Sequence, residues 1–177
     1  MLDSAKDTEA DKSAKTVAER LLAALGRRGW TVALAESCTG GLVSAELTSI
    51  PGASECFWGA VVSYANQAKQ TVLSVDPDIL ERCGAVSEEA VRAMALGVLG
   101  LSGADVSAAV SGIAGPGGGT PDKPVGTVWI GVASRDGRSR EIRLSLTGGR
   151  DRIRAESAIR VLGELWSFVE EGYGGSS

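Results

Sequence analysis

Apolar side chains recur along this chain in two rhythms. Val17, Leu21, Ala24 and Leu25 return every three or four positions, the spacing of one helical face, and Gly29 suits the end of that helix. Trp30 to Ala35 is a short strand candidate. Leu42 to Ile50 predicts a helix stopped by the turn pair Pro51-Gly52. Phe57 to Tyr64 (FWGAVVSY) is an apolar run with β-branched and aromatic members and predicts a buried strand. Ala65 to Val75 predicts a helix with Lys69 one turn in. Asp76-Pro77 is a cap followed by proline at the first helical position, opening a short helix that Gly84 closes. Ser87 with Glu88 and Glu89 opens another, and Val91, Met94, Ala95 and Val98 supply its buried stripe.

The rhythm then changes. Ala104, Val106, Ala108 and Val110 alternate with Asp105, Ser107 and Ser111, a strand period. After the loop GIAGPGGGTPDKP, residues Val125 to Ser134 are apolar on both faces and predict a central strand. Asp136-Gly137 is a hairpin turn, and Ser139 to Leu146 alternates as a strand with one wet face would. Ile153, Ser157, Val161, Leu165 and Phe168 form a long final helix. There is no internal repeat and no interdomain linker. The pattern predicts one three-layer α/β domain over residues 13–171, with a mixed, mostly parallel sheet of about five strands flanked by helices. The hairpin imposes one antiparallel pair. Residues 1–12 and 172–177 are expected to be disordered tails.

Composition removes several classes of function. Of the 177 residues 44% are apolar and 23% charged, ordinary for a soluble globular domain. A net charge of −4 argues against a nucleic-acid-binding surface. No apolar run approaches the roughly 18 residues of a membrane span, and the polar N-terminus lacks a signal-peptide core, so a cytoplasmic protein with no membrane partner is expected. Cys38, Cys56 and Cys83 are scattered, which fits reduced thiols better than a disulfide scaffold or a closed zinc site. The chain has no histidine. That excludes Ser-His-Asp and Cys-His arrangements and leaves lysine, a carboxylate or tyrosine to activate any nucleophile.

In an open α/β sheet, ligands collect beyond the carboxyl ends of the strands. Four segments qualify: Glu36 to Gly41, Tyr64 to Lys69, Ser111 to Pro124, and Thr147 to Asp151. Generic motifs do not name them. GIAGPGGGT fits neither the dinucleotide fingerprint nor a P-loop, and Ser37 lacks the flanking glycines of an esterase elbow. Each residue also has a duller role. Ser37 or Thr39 serves as a helix N-cap, Glu36 as a satisfied carboxylate near a helix start, and Cys38 as a small buried residue. Lys69 is then a solvated helical charge and Tyr64 a core residue with a wet hydroxyl. The Ser111 to Gly119 loop is then a crossover, the charges from Arg135 to Arg143 a solvated hairpin, and Trp30, Trp58, Trp129 and Trp166 core or interface packing.

Five segments occurring in order carry a family resemblance: AESCTGG at 35–41, WGAVVSYANQAKQ at 58–70, GAVS at 84–87, VSGIAGPGGGTPDKPVGTVWIGVA at 110–133 and GGRDRIR at 148–154. Over about residues 14–170 the chain resembles the CinA C-terminal domain family of nicotinamide mononucleotide (NMN) deamidases, in its stand-alone form. The resemblance implies hydrolysis of the NMN carboxamide to nicotinate mononucleotide and ammonia, with Ser37 as nucleophile, Tyr64 and Lys69 as its partners, no metal or other cofactor, and a homodimer. It leaves Thr39 as the better candidate for the helix cap. Members of the family often carry an acidic residue where this chain has Gly149.

The chemistry is consistent with these residue types. Neutral Lys69 is the natural base, and lowering its pKa from about 10.4 towards 7 costs roughly 4–5 kcal/mol, which burial can supply. Tyr64 relays the proton or holds Ser37. Backbone N–H groups of Thr39, Gly40 and Gly41 are candidate oxyanion donors. The rest of the substrate is expected against Ser111, Gly112, Gly115 and Gly117, with its phosphate on a glycine loop, a helix N-terminus or Arg150. Two other classes stay open: a nucleotide-binding regulatory module with little catalysis, and a partner-binding protein in competence or DNA repair.

Overall fold

The computed structural model describes residues 9–171, with side chains from residue 13 onward. Six α-helices and five strands follow along these residues, with a short 3-10 turn at Ala53–Glu55: α1 (Glu9–Arg28), β1 (Val32–Glu36), α2 (Leu42–Thr48), β2 (Phe57–Val62), α3 (Asn66–Leu73), α4 (Pro77–Arg82), α5 (Glu88–Ser102), β3 (Val106–Gly112), β4 (Thr127–Ser134), β5 (Ser139–Ser145) and α6 (Arg150–Glu171). The strands form one sheet in the order β2-β1-β3-β4-β5. Helices α1, α2 and α6 build the core on one face, around Leu21, Leu25, Leu47, Leu162 and Leu165. Helices α3, α4 and α5 build the other, around Leu73, Leu80, Val91, Met94 and Val98. The three-layer α/β architecture read from the hydrophobic rhythm is the observed one.

Strand β1 pairs in parallel with β2 and β3, whereas β3–β4 and β4–β5 are antiparallel. Only β4 therefore runs against the rest, so the sheet is mostly parallel in strand direction. The expected single antiparallel pair is corrected to two. The loop 113–126 returns the chain beside β3 as a wide hairpin, a connection that periodicity does not reveal.

Burial corrects a second expectation. The segment FWGAVV is the edge strand β2, not a buried one: Trp58, Val62 and the following Tyr64 are exposed. Its composition matches that of an interior strand, and pairing on one side only decides the difference. The interior strands β1 and β3 are built mostly from small residues and are buried almost throughout. At Gly97 an added Cβ would stand 2.0 Å from the Leu73 carbonyl, so α3 and α5 cross at backbone distance only because that position has no side chain. Helix α1 begins at Glu9, inside the stretch expected to be a tail. The rest of that tail and the one over 172–177 lie outside the described residues.

The antiparallel reversal at β4 has one further effect. The carboxyl ends of β1, β2, β3 and β5 all reach the same edge of the sheet, which gathers the four segments that the sequence singled out.

Candidate active site

The turn after β1 is organised by a buried carboxylate. Glu36, 1% exposed, turns back and accepts bonds from the Thr39 hydroxyl (2.7 Å) and from the backbone N–H groups of Gly41 (2.9 Å), Val43 (3.2 Å) and Ser44 (2.9 Å). The Ser44 hydroxyl donates to it as well. Glu36 thus satisfies the free N–H groups that open α2, the task usually given to an N-cap side chain. The Thr39 cap is therefore corrected: the N-cap position is Gly41, no side chain caps from it, and Thr39 orients Glu36 instead. The reading of Glu36 as a satisfied carboxylate at a helix start holds.

Relieved of any capping duty, Ser37 lies at the end of β1, its N–H bonded to the Val110 carbonyl at 3.0 Å and its side chain largely buried. The partner of its hydroxyl is Lys69. The Lys69 side chain, 1% exposed, places Nζ 3.1 Å from Ser37 Oγ, 2.7 Å from the Ser63 carbonyl and 3.4 Å from the Tyr64 carbonyl. No carboxylate neutralises it among the described residues. Burial accordingly lowers its pKa below the ordinary lysine value. A neutral amine in this position has two N–H bonds for the two carbonyls and a lone pair for the Ser37 hydroxyl. The solvated-charge reading of Lys69 is excluded.

Around this pair lies a cavity of about 230 Å³, lined by Ser37, Cys38, Lys69 and Ser111 in its depth, by Ala85, Val86, Gly112 and Ala114 on its walls, and by Tyr64 and Arg150. Arg150, at the start of α6, donates to the Tyr64 hydroxyl (3.1 Å) and to the Gly115 carbonyl (2.9 Å), which ties two loops together across the mouth. Tyr64 reaches Lys69 through its carbonyl, whereas its phenol is 61% exposed as a residue and bonds to Arg150 rather than to Ser37. Cys38 lines the cavity, but burial pushes its thiol up to about 11, so it is neutral at ordinary pH.

Six of the residues singled out in the sequence thus share one cavity: Ser37, Tyr64, Lys69, Ser111, Gly112 and Arg150. Thr39, Gly40, Gly41, Gly115 and Gly117 do not line it. Two of the expected oxyanion donors are already engaged, because the Gly40 N–H binds the Ser37 carbonyl (3.1 Å) and the Gly41 N–H binds Glu36. The N–H group of Thr39 has no acceptor among the described residues, and that of Cys38 meets only its own thiol. Missed in the sequence were Ala85 and Val86 as cavity wall, and Arg154. The guanidinium of Arg154 donates to the Cys38 carbonyl (3.1 Å) and the Thr39 carbonyl (2.8 Å). The available signal was its spacing of four from Arg150, which puts both on one helical face.

The structure thus sets a serine against a buried, uncompensated lysine at the carboxyl edge of the sheet of a single α/β domain. The chain belongs to the CinA C-terminal domain family, whose match covers residues 14–169. It is 50% identical over 137 residues to the nicotinamide-nucleotide amidohydrolase PncC of Enterobacter agglomerans, covering 77% of this chain and 84% of that protein. It is 51% identical over 152 residues to a CinA-like protein of Synechocystis, covering 85% of this chain but spanning only 36% of that relative's length. Among solved structures, the competence/damage inducible protein CihA from Agrobacterium tumefaciens superposes with a TM-score of 0.86 at 37% identity, over 88% of this chain and 94% of that one. No helix among the described residues is long and apolar enough to cross a membrane.

Proposed function

We propose that this chain is an amidohydrolase that converts NMN to nicotinate mononucleotide and ammonia, as part of pyridine nucleotide recycling. The observation that carries the reading is the 3.1 Å contact between Lys69 Nζ and Ser37 Oγ, with the other two Lys69 contacts made to carbonyls. The name of the Enterobacter agglomerans relative supports the substrate.

In this mechanism neutral Lys69 removes the Ser37 proton as Oγ bonds to the carboxamide carbon. The carbonyl oxygen becomes an oxyanion, held by the N–H groups of Cys38 and Thr39. Collapse breaks the C–N bond, and the proton on Lys69 leaves with the amine as ammonia. Water then attacks the ester on Ser37; Lys69 takes its proton and returns it to Oγ, releasing the carboxylate product. The pyridine ring lies against Ala85, Val86 and Ala114, and a cationic ring disfavours the ammonium form of Lys69. The cavity of about 230 Å³ is small for a whole nucleotide, which leaves the phosphate at the mouth beside Arg150. Tyr64 shapes that mouth with Arg150. The exposed row of Trp58 and Val62 on edge strand β2 and Tyr64 just after it supports assembly as a homodimer, which light scattering tests.

The deciding experiment measures ammonia release from NMN by the wild type and by Ser37→Ala. The expected result is turnover by the first and none by the second. Full activity in Ser37→Ala removes the serine mechanism, and no turnover by the wild type favours a binding module.

A further inference from the structure

The nucleophile turn is gripped by opposite charges that do not pair with each other. Glu36 binds its N–H groups on the α2 side. Arg154, half-buried on α6, binds two consecutive carbonyls on the other side. In a trans peptide the C=O and the following N–H point in opposite directions within one plane, so fixing one fixes the other. Arg154 Nε holds the Cys38 carbonyl, which turns the Thr39 N–H away from α6. Arg154 Nη2 holds the Thr39 carbonyl, and the N–H of that same peptide, on Gly40, binds the Ser37 carbonyl. The Ser37 carbonyl in turn shares its plane with the Cys38 N–H. The Cys38 and Thr39 N–H groups, neither of which binds another residue, are therefore aimed through peptide planes that end on Arg154. Bonds in such a chain also polarise one another.

The local sequence is fitted to this grip. Gly40 has φ +61, and an added Cβ would stand 3.3 Å from Arg154 Nη2, so a side chain there meets both backbone strain and the guanidinium. A guanidinium supplies parallel N–H groups in a rigid fork, whereas lysine offers a single nitrogen on a flexible stem and does not fix two consecutive carbonyls in one plane.

We propose that Arg154 is a positioning residue for the reaction at Ser37: from behind the turn it orients the Cys38 and Thr39 N–H groups that receive the oxyanion. It touches neither Ser37 nor the cavity and acts only through the peptide planes. This inference rests on the amidohydrolase reading, and its test separates the two.

Wild type, Arg154→Ala and Arg154→Lys are compared for ammonia release from NMN, for the rate at which a fluorophosphonate labels Ser37, and for Tm. The expected result is a fall of about 100-fold in kcat for Arg154→Ala with KM within about twofold, the size of losing an oxyanion donor. Labelling, whose transition state also carries an anionic oxygen, slows in parallel. Added guanidinium ion at sub-denaturing concentration restores part of the rate to Arg154→Ala, and Arg154→Lys recovers less than the rescued variant. Unchanged kcat and labelling overturn the proposal, as does a loss that follows Tm and is not rescued. Should Arg154→Ala fail to fold, Arg154→Lys decides by the same split between kcat and KM. If the wild type releases no ammonia, the amidohydrolase reading fails, and the ratio of labelling rates still decides the role of Arg154. A wild type that is not labelled either overturns both.

Discussion

Glu36 and Lys69 flank the same serine, are equally buried at 1% exposure, and do opposite things. Glu36 is saturated: two hydroxyls and three backbone N–H groups point at its two oxygens. A buried charge so surrounded is a structural anchor. Lys69 has only neutral oxygens around it, and burial lowers its pKa. A buried cation with no counter-charge is an arrangement that favours the free amine, and a free amine facing a hydroxyl is a base. Burial alone does not separate anchor from reagent; the partners do.

The largest effect that this contrast demands is on turnover. Lys69→Met is expected to lower kcat by about 1,000-fold, within the range for loss of a general base, with the fold retained by circular dichroism. A loss below tenfold would make Lys69 an anchor as well. The wild-type rate should fall as pH drops below the lowered pKa of Lys69. Stability carries the same signature. Between that lowered value and the ordinary 10.5, the unfolded chain binds a proton that the folded chain does not, so stability rises with pH across this window. Urea melts of wild type and Lys69→Met should therefore diverge there, with the wild type gaining as pH rises. A parallel pH dependence breaks the assignment of Lys69 as a buried neutral amine.

Glu36→Gln tests the other half. The substitution keeps the shape but sets an NH₂ against donors, at a cost of about 3 kcal/mol, or roughly 10 °C in Tm for a chain of this size. The comparison predicts opposite profiles: Lys69→Met loses rate and keeps its fold, Glu36→Gln loses stability first. Equal effects of both on Tm would erase the distinction.

How much of this was legible follows from what each signal can carry. The elements were readable because a helix against a core must repeat its apolar residues near every 3.6 positions, as Val91, Met94, Ala95 and Val98 do. Edge and interior strands share one composition, so β2 was misjudged; exposure is a property of pairing. Ser37 and Lys69 were legible only through the family resemblance, because the loops that carry them are neighbours by virtue of the β1–β2 pairing. The part of Glu36 was half legible, as a carboxylate near a helix start; its reach across to Ser44 depends on the αL turn at Gly40 and Gly41. Arg154 looked like any charge on a long amphipathic helix, since its target is a pair of carbonyls, which leave no trace in side-chain patterns.

A smaller effect concerns the mouth. Arg150→Lys keeps the charge but cannot span Tyr64 and Gly115 together or offer a phosphate two parallel donors. KM for NMN should rise about tenfold with kcat little changed, a loss of uniform binding. A fall in kcat at constant KM would move Arg150 to the chemical step and blur the line between the lysine proposed to react and the residues proposed to hold.

The smallest expected change belongs to the Cys38 side chain, which sits between the two regions and bonds to neither Glu36 nor Lys69. Its thiol has moved from 9.0 up to about 11, first because it is buried, and a neutral thiol is a poor nucleophile. Cys38→Ala should leave kcat and KM within about twofold at neutral pH and cost about 1 kcal/mol of stability, a typical loss for a small buried side chain. Iodoacetamide should label Cys38 slowly. The thiol also sets the alkaline limit of this small contribution. Below 9.0 both folded and unfolded chains hold the proton; as pH rises towards 11 the unfolded chain releases it first, so the wild type loses stability relative to Cys38→Ala over that interval. Rapid alkylation at neutral pH that abolishes ammonia release would give the site a second nucleophile. The contrast between a saturated carboxylate and an uncompensated amine would then no longer account for which group attacks.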